Sequence, residues 1–169
     1  MILLAVPVLA GALLLVVAGL EHIRDPAELA RAAGTGTVLA RMIAVVELAI
    51  GVPSVAAVFV GVPPLRWALV AQAVIYVAFA AHLLLRRRRG DESDCGCNRM
   101  GTRVGPGGIA RAWSLAALTL AASVLYPAMA SPSGAGSLLL VIIGALVTAV
   151  LLYAMPAAVD GRAVPRGTT

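Results

Sequence analysis

Lysine is missing altogether: all thirteen basic residues of this 169-residue chain are arginines. Charge of either sign is scarce, at 12% of residues against 61% hydrophobic, and aromatic side chains make up only 4%. Soluble domains carry about a quarter charged residues, so a water-soluble globule of this composition has too little polar surface to cover itself. The shortage of aromatics removes stacking platforms for bases. The arginines also fall in short segments between apolar runs rather than on one basic face. Both facts argue against nucleic acid as a partner despite a formal charge of +5. With only two cysteines there is no disulfide framework. The N-terminal "MILLAVPVLAGALLLVVAGL" has no basic n-region, so it reads as a retained span rather than a secretory signal.

What is present is apolar length. Five segments reach the roughly 20 residues that a bilayer core requires, at about 2–20, 42–62, 65–85, 109–130 and 137–159. Lipid offers no partner for a free backbone N–H or C=O, so spans of this kind must be helices. The fold class is therefore all-α: a polytopic membrane bundle of about five transmembrane helices, a four-helix core plus one. In "DPAELARA", Asp25 is placed as an N-cap and Pro26 at the first helical position, which predicts a short interfacial helix after the first span. Residues 1–159 form a single transmembrane domain, with 160–169 as a flexible tail. Alanine and glycine recur at helical spacing, as in "AGALLLVVAG", and permit close helix approach.

Arginine asymmetry sets orientation. Only Arg66 falls at one end of the spans; the other twelve of the thirteen fall at the opposite end. This predicts a cell-membrane protein with its N-terminus outside and its C-terminus and the long loop 86–108 in the cytoplasm. The run Arg86–Arg89 is a stop-transfer signal.

That loop contains "DCGC", with Cys95 and Cys97 as the only thiols in the chain. Glycine between them permits the sharp turn a disulfide needs, and such a small, strained ring is of the labile, exchangeable kind. Two soft ligands do not complete a tetrahedral metal site, so no metal is assigned. Incidental surface thiols are the plain alternative. His22 and His82 are too few to carry a haem reading.

Glu47 is the one carboxylate inside a span, and burying it costs at least ~2.5 kcal/mol on insertion scales, so it needs a partner or a function. It lies six residues, about 9 Å, beyond Arg41. His82 stands four residues before the arginine run, Arg111 just inside the fourth span, and Glu21 and His22 at the end of the first. These five groups from four helices reach similar depth beneath the cysteine loop. Glu47 is expected to pair with Arg111 or His82 as a polar floor, either fixing helix packing alone or handling protons or docking a partner.

Three stretches carry a resemblance. "AGLEHIRDPAELARA" (18–32), "VELAIG" (46–51) and "DCGC" followed by "GPGGIARAWSLAALTL" are similar, in order and spacing over most of residues 1–130, to the methylamine-utilisation MauE family, related to the DoxX-like membrane proteins. The resemblance implies a small multi-pass helical protein linked to maturation or export of a disulfide-rich dehydrogenase subunit together with a thioredoxin-like protein. Cys95 and Cys97 would then be the redox pair, with Arg24, Asp25, Pro26, Glu47 and Arg111 as supporting positions. Two departures stand out: "NRMG" follows the cysteines where the family has Phe-Gly, and Ala112 follows Arg111 where Asn is frequent. Maturation of an exported enzyme would put the thiols outside, whereas the arginines put them inside; the charge count is followed here. The expected function is a thiol–disulfide redox or maturation factor, set against a non-catalytic assembly subunit or a small metal or metabolite carrier. No cofactor motif is present. A relay across a membrane needs a second cysteine pair or a quinone; no second pair exists, and no residue pattern marks a quinone site. The sequence does not set the oligomeric state.

Overall fold

A computed structural model describes residues 2–60, 65–91, 102–126 and 134–160. Six helices follow in order: α1 (Ile2–Arg24), α2 (Pro26–Ala33), α3 (Thr37–Val60), α4 (Arg66–Arg88), α5 (Pro106–Leu125) and α6 (Ala135–Val159). All but α2 are long and apolar enough to cross a membrane, and among the described residues there is no strand. The protein is a multi-pass helical membrane protein.

The helices alternate in direction. α1 packs against α3 and α5, and α4 packs against the same two, so the four close into a ring with α3 and α5 on one diagonal. α6 lies outside the ring against α1 and α5 and stays mostly exposed. The expected four-helix core plus one is the arrangement found.

Small residues set the closest contact, between α1 and α3. A Cβ added to Gly19 would come within 2.8 Å of Leu48 Cγ and 3.0 Å of the Ala44 carbonyl; one added to Gly51 would meet Val16 at 2.9 Å and the Ala12 carbonyl at 3.2 Å. The two glycines lie on facing helices and let the backbones approach, as small residues do where lipid supplies no hydrophobic drive between helices.

The two ends of the ring differ in chemistry. At the end bearing Arg66, the core is apolar: Val8, Leu9, Val58, Leu69, Ala122 and Val141 pack together. Neutral polar groups tie the middle and this end across helices. Gln72, fully buried, donates to the Val8 carbonyl at 3.3 Å and lies 3.4 Å from Thr119 Oγ1. Tyr76 donates to the Gly11 carbonyl at 2.6 Å, Tyr126 to the Ala57 carbonyl at 3.1 Å, and Ser54 to the Ala68 carbonyl at 3.2 Å.

The opposite end collects the charge. α2 forms as expected: the Asp25 carboxylate accepts from the Glu28 backbone N–H at 3.2 Å, Pro26 opens the helix, and Gly34 closes it at φ 65°, a left-handed conformation that glycine adopts without cost. α2 turns back onto α3, where Leu29 and Ala30 cover Ala40 and Ile43. One boundary is displaced. α3 starts at Thr37 rather than near Met42: α2 packs on one face of its first turns, at Ala40 and Ile43, while Thr37, Val38, Leu39 and Arg41 stay exposed.

Candidate functional site

A cavity of about 570 Å³ opens at the arginine-rich end. Its walls are largely aliphatic and come from all six helices: Leu14, Leu15 and Ala18 of α1, Leu29 of α2, Ile43 and Val46 of α3, Ile75 and Phe79 of α4, with Arg111 and Tyr153 from α5 and α6. The residues that line it and are also exposed mark its mouth. These are Leu39, Met42 and Val46 on α3, and Ala78 and His82 on α4. The cavity therefore opens sideways, between the first half of α3 and the last half of α4.

The polar groups inside it are few and specific. His22 Nδ1 and Glu47 Oε2 are 2.8 Å apart, both side chains almost wholly buried. The pairing follows from the packing of α1 directly on α3. Glu47 thus takes His22 as its partner, and neither Arg111 nor His82, the two partners expected from depth. His82 sits at the mouth, and Arg111 reaches the cavity from the helix diagonal to that of Glu47.

Arg111 is 7% exposed and donates through Nη1 to the Leu152 carbonyl at 3.0 Å. Neither ion pair found among the described residues includes it. A guanidinium offers five N–H donors and stays charged under all ordinary conditions. Here it is buried at the cavity wall with one hydrogen bond to a carbonyl, and Tyr76, Tyr153 and Asp160 stand near enough to act on its charge. Thr35 also lines the cavity, with its hydroxyl turned into the protein and without a hydrogen-bond partner.

The remaining groups hold this end together. Tyr153 donates to Glu21 Oε1 at 3.1 Å, joining α6 to α1. Asp160, assigned by sequence to the tail, accepts from the backbone N–H groups of Gly107 and Gly108, each at 2.9 Å, and so caps α5 from the end of α6. The exposed Arg24 and the capping Asp25 are not part of the cavity lining. The arginine run divides: Arg87, Arg88 and Arg89 are exposed, whereas Arg86 is buried and pairs with Asp91 at 2.9 Å after a turn at Gly90.

Cys95 and Cys97 lie outside the described residues. The chain on either side of them is anchored. Asp91 is tied to Arg86, and Thr102 and Val104 are buried, Val104 against Leu83 in a cluster that includes the cavity residue Phe79.

A search for charged side chains and histidine alone does not find Tyr76, Tyr153 and Gln72. The signal was there: Gln72 and Tyr76 stand four apart on one face of an otherwise apolar helix, where each hydroxyl or amide must find a partner.

Fold and cavity together define the class: a five-span α-helical membrane protein with a laterally open, mainly apolar cavity whose polar contacts come from three or more helices. The chain belongs to the MauE family, whose model, described as methylamine utilisation protein MauE, matches residues 1–127. No curated protein and no solved structure matches it.

Proposed function

We propose that this protein is the membrane component of a thiol–disulfide exchange that forms disulfides in a partner protein of methylamine utilisation, with Cys95 and Cys97 as the exchanging pair. The observation that carries the reading is that the only two cysteines of a MauE-family chain stand one residue apart in the loop joining α4 and α5. Both flanks of that loop support it. Chain length alone keeps Cys95 within about 14 Å of Asp91 and Cys97 within about 18 Å of Thr102, so the pair stays near the arginine-rich end.

The step is ordinary exchange. A partner thiolate attacks one sulfur of the Cys95–Cys97 disulfide to give a mixed disulfide. The partner's second thiolate then displaces that sulfur, leaving the partner oxidised and Cys95 and Cys97 as thiols. A disulfide closed over one intervening residue is strained and hence oxidising, which sets the direction. The partner fitting this chemistry is a thioredoxin-like or other dithiol protein on the side to which the loop is exposed.

The test is thiol labelling of intact cells with a membrane-impermeant maleimide, with and without reductant, alongside the double variant Cys95→Ser, Cys97→Ser. Intact cells should stay unlabelled, inverted membrane vesicles should label only after reduction, and partner disulfides should be lost in the double variant. Partner maturation that survives removal of both sulfurs overturns the exchange and favours an assembly subunit.

A further inference from the structure

The cavity faces a chemical problem that its own residues do not solve. Glu47 and Arg111 approach it from diagonal helices and carry opposite charges, yet they make no ion pair with one another. A charge in so apolar a setting is costly unless paired. Glu47 has His22, whereas Arg111 has one hydrogen bond, to the Leu152 carbonyl, with the Asp160 carboxylate acting on it only from beyond salt-bridge distance. The open volume of the cavity lies beside Arg111.

The walls restrict what can fill that space. A pure hydrocarbon would add no acceptor for the remaining donors of Arg111. An anionic head such as a fatty-acid carboxylate would satisfy Arg111 but bring a second negative charge beside Glu47. A charged water-soluble metabolite gains nothing from the aliphatic lining, and the mouth, formed by Leu39, Met42, Val46, Ala78 and His82, offers it one polar side chain. A neutral, lipid-soluble ring with an accepting oxygen at each end fits all three restrictions, and the volume lies within the range for small-molecule sites, roughly 300–1,000 Å³.

We propose that this cavity binds a membrane quinone, with Arg111 donating to one carbonyl oxygen and the His22–Glu47 pair serving the other. The assignment rests on the thiol-exchange reading for its purpose. The chain has no second cysteine pair to receive electrons, so reduced Cys95 and Cys97 need an acceptor. In the balanced step the two thiols lose two electrons and two protons and close their S–S bond, while the quinone gains both and becomes a quinol. The permanent charge of Arg111 stabilises the oxygen on which negative charge develops, and an imidazole paired with a carboxylate is suited to deliver a proton.

Binding and electron transfer are separable in the test. Full-length protein in lipid nanodiscs is titrated with decyl-ubiquinone and with a short-tailed menaquinone analogue, reading saturable binding by equilibrium partition and by thermal shift. Wild type and the Cys95→Ser, Cys97→Ser variant should bind at least one analogue equally, since the site contains neither sulfur. Arg111→Gln should weaken binding about tenfold, the loss expected for a hydrogen bond from a charged donor. Should Arg111→Gln fail to fold, Met42→Trp serves: Met42 is 61% exposed at the mouth, so the change obstructs entry without disturbing the core, and binding should be lost with the melting temperature of the empty protein unchanged. Oleate should not compete. Absence of saturable quinone binding in wild type, or displacement by oleate as effective as by quinone, overturns the site whatever the fate of the thiol reading. Binding intact in all forms but no quinol produced from reduced wild type overturns the transfer step and, with it, the link between cavity and cysteines.

Discussion

A carboxylate in the middle of a membrane helix must be accounted for, and Glu47 is accounted for by His22. Interhelical polar contacts in membrane proteins average about 0.6 kcal/mol and reach about 1.7; a short, buried pair with one charged member belongs at the upper end. A double-mutant cycle of His22→Gln and Glu47→Gln, read by reversible unfolding in detergent, should give a coupling of about 1–2 kcal/mol. His22→Gln alone should be the costlier single change, because it leaves a carboxylate without its imidazole, whereas Glu47→Gln leaves only neutral groups. Equal single effects that add without coupling would remove the pair as an energetic unit. The partner of Glu47 was not legible in the sequence, and the reason is geometric. Counting residues from the arginine belts gives depth along each helix, and at Glu47's depth Arg111, His82 and His22 are all candidates. Depth says nothing about azimuth, which is decided by α1 packing directly on α3 through Gly19 and Gly51. The division of the arginine run is another residue-scale fact hidden from the sequence: four identical letters conceal one side chain folded back on Asp91 and three in the open.

At the scale of the element, composition alone carried most of the information. Spans of low charge bounded by arginine, and a helix announced by Asp25 and Pro26, are local signals that the environment does not override. Boundaries are less legible where a helix runs past its apolar stretch, as α3 does through the exposed Thr37 and Arg41, with α2 packed on one face. The close contact of α1 and α3 is open to test. Gly51→Val should destabilise by about 1–3 kcal/mol through overpacking against Val16 and the Ala12 carbonyl, whereas Gly36→Ala, where an added Cβ meets nothing within 4 Å, should be neutral; melting temperatures in one detergent give the comparison. The start of α5 depends on a residue 53 positions away. Asp160 supplies a carboxylate to two N–H groups that the helix cannot satisfy itself, at the end where its dipole favours negative charge. Asp160→Ala should cost about 1–2 kcal/mol, and Asp160→Asn clearly less, since one amide oxygen still accepts. A cap drawn from the far end of the chain has no local signature, which is why the sequence reading left Asp160 in the tail.

At the scale of the molecule, the five spans divide into a ring of four and an outer helix. The family model ends at residue 127, just after α5, so the matched part is that ring with α2. α6 lies beyond it and, among the described residues, meets the ring through polar contacts at one end that include the Leu152 carbonyl with Arg111, Tyr153 with Glu21, and Asp160 with the start of α5. Lipid gives α6 little reason to associate, since its apolar surface is as well solvated by acyl chains as by protein; those contacts, together with the small-residue contacts of Ala145 and Ala149 in the far core, must hold it. Two of the three involve groups at or near the cavity, so α6 also closes the wall behind Arg111. An odd number of spans would put the two chain ends on opposite sides, and the arginine belt predicts the C-terminal end inside. A C-terminal fluorescent reporter that folds only in the cytoplasm should therefore be bright on the full chain. Ending the chain after α5 removes one span, and the same reporter should fall dark while an N-terminal epitope stays accessible from outside. A bright reporter on both lengths would show that α6 does not cross the membrane and would reduce the bundle to its ring of four. In the expected case, Tyr153→Phe on the full chain should leave the reporter bright, because a contact that holds α6 against α1 acts after the helix has been threaded and does not set which way it runs.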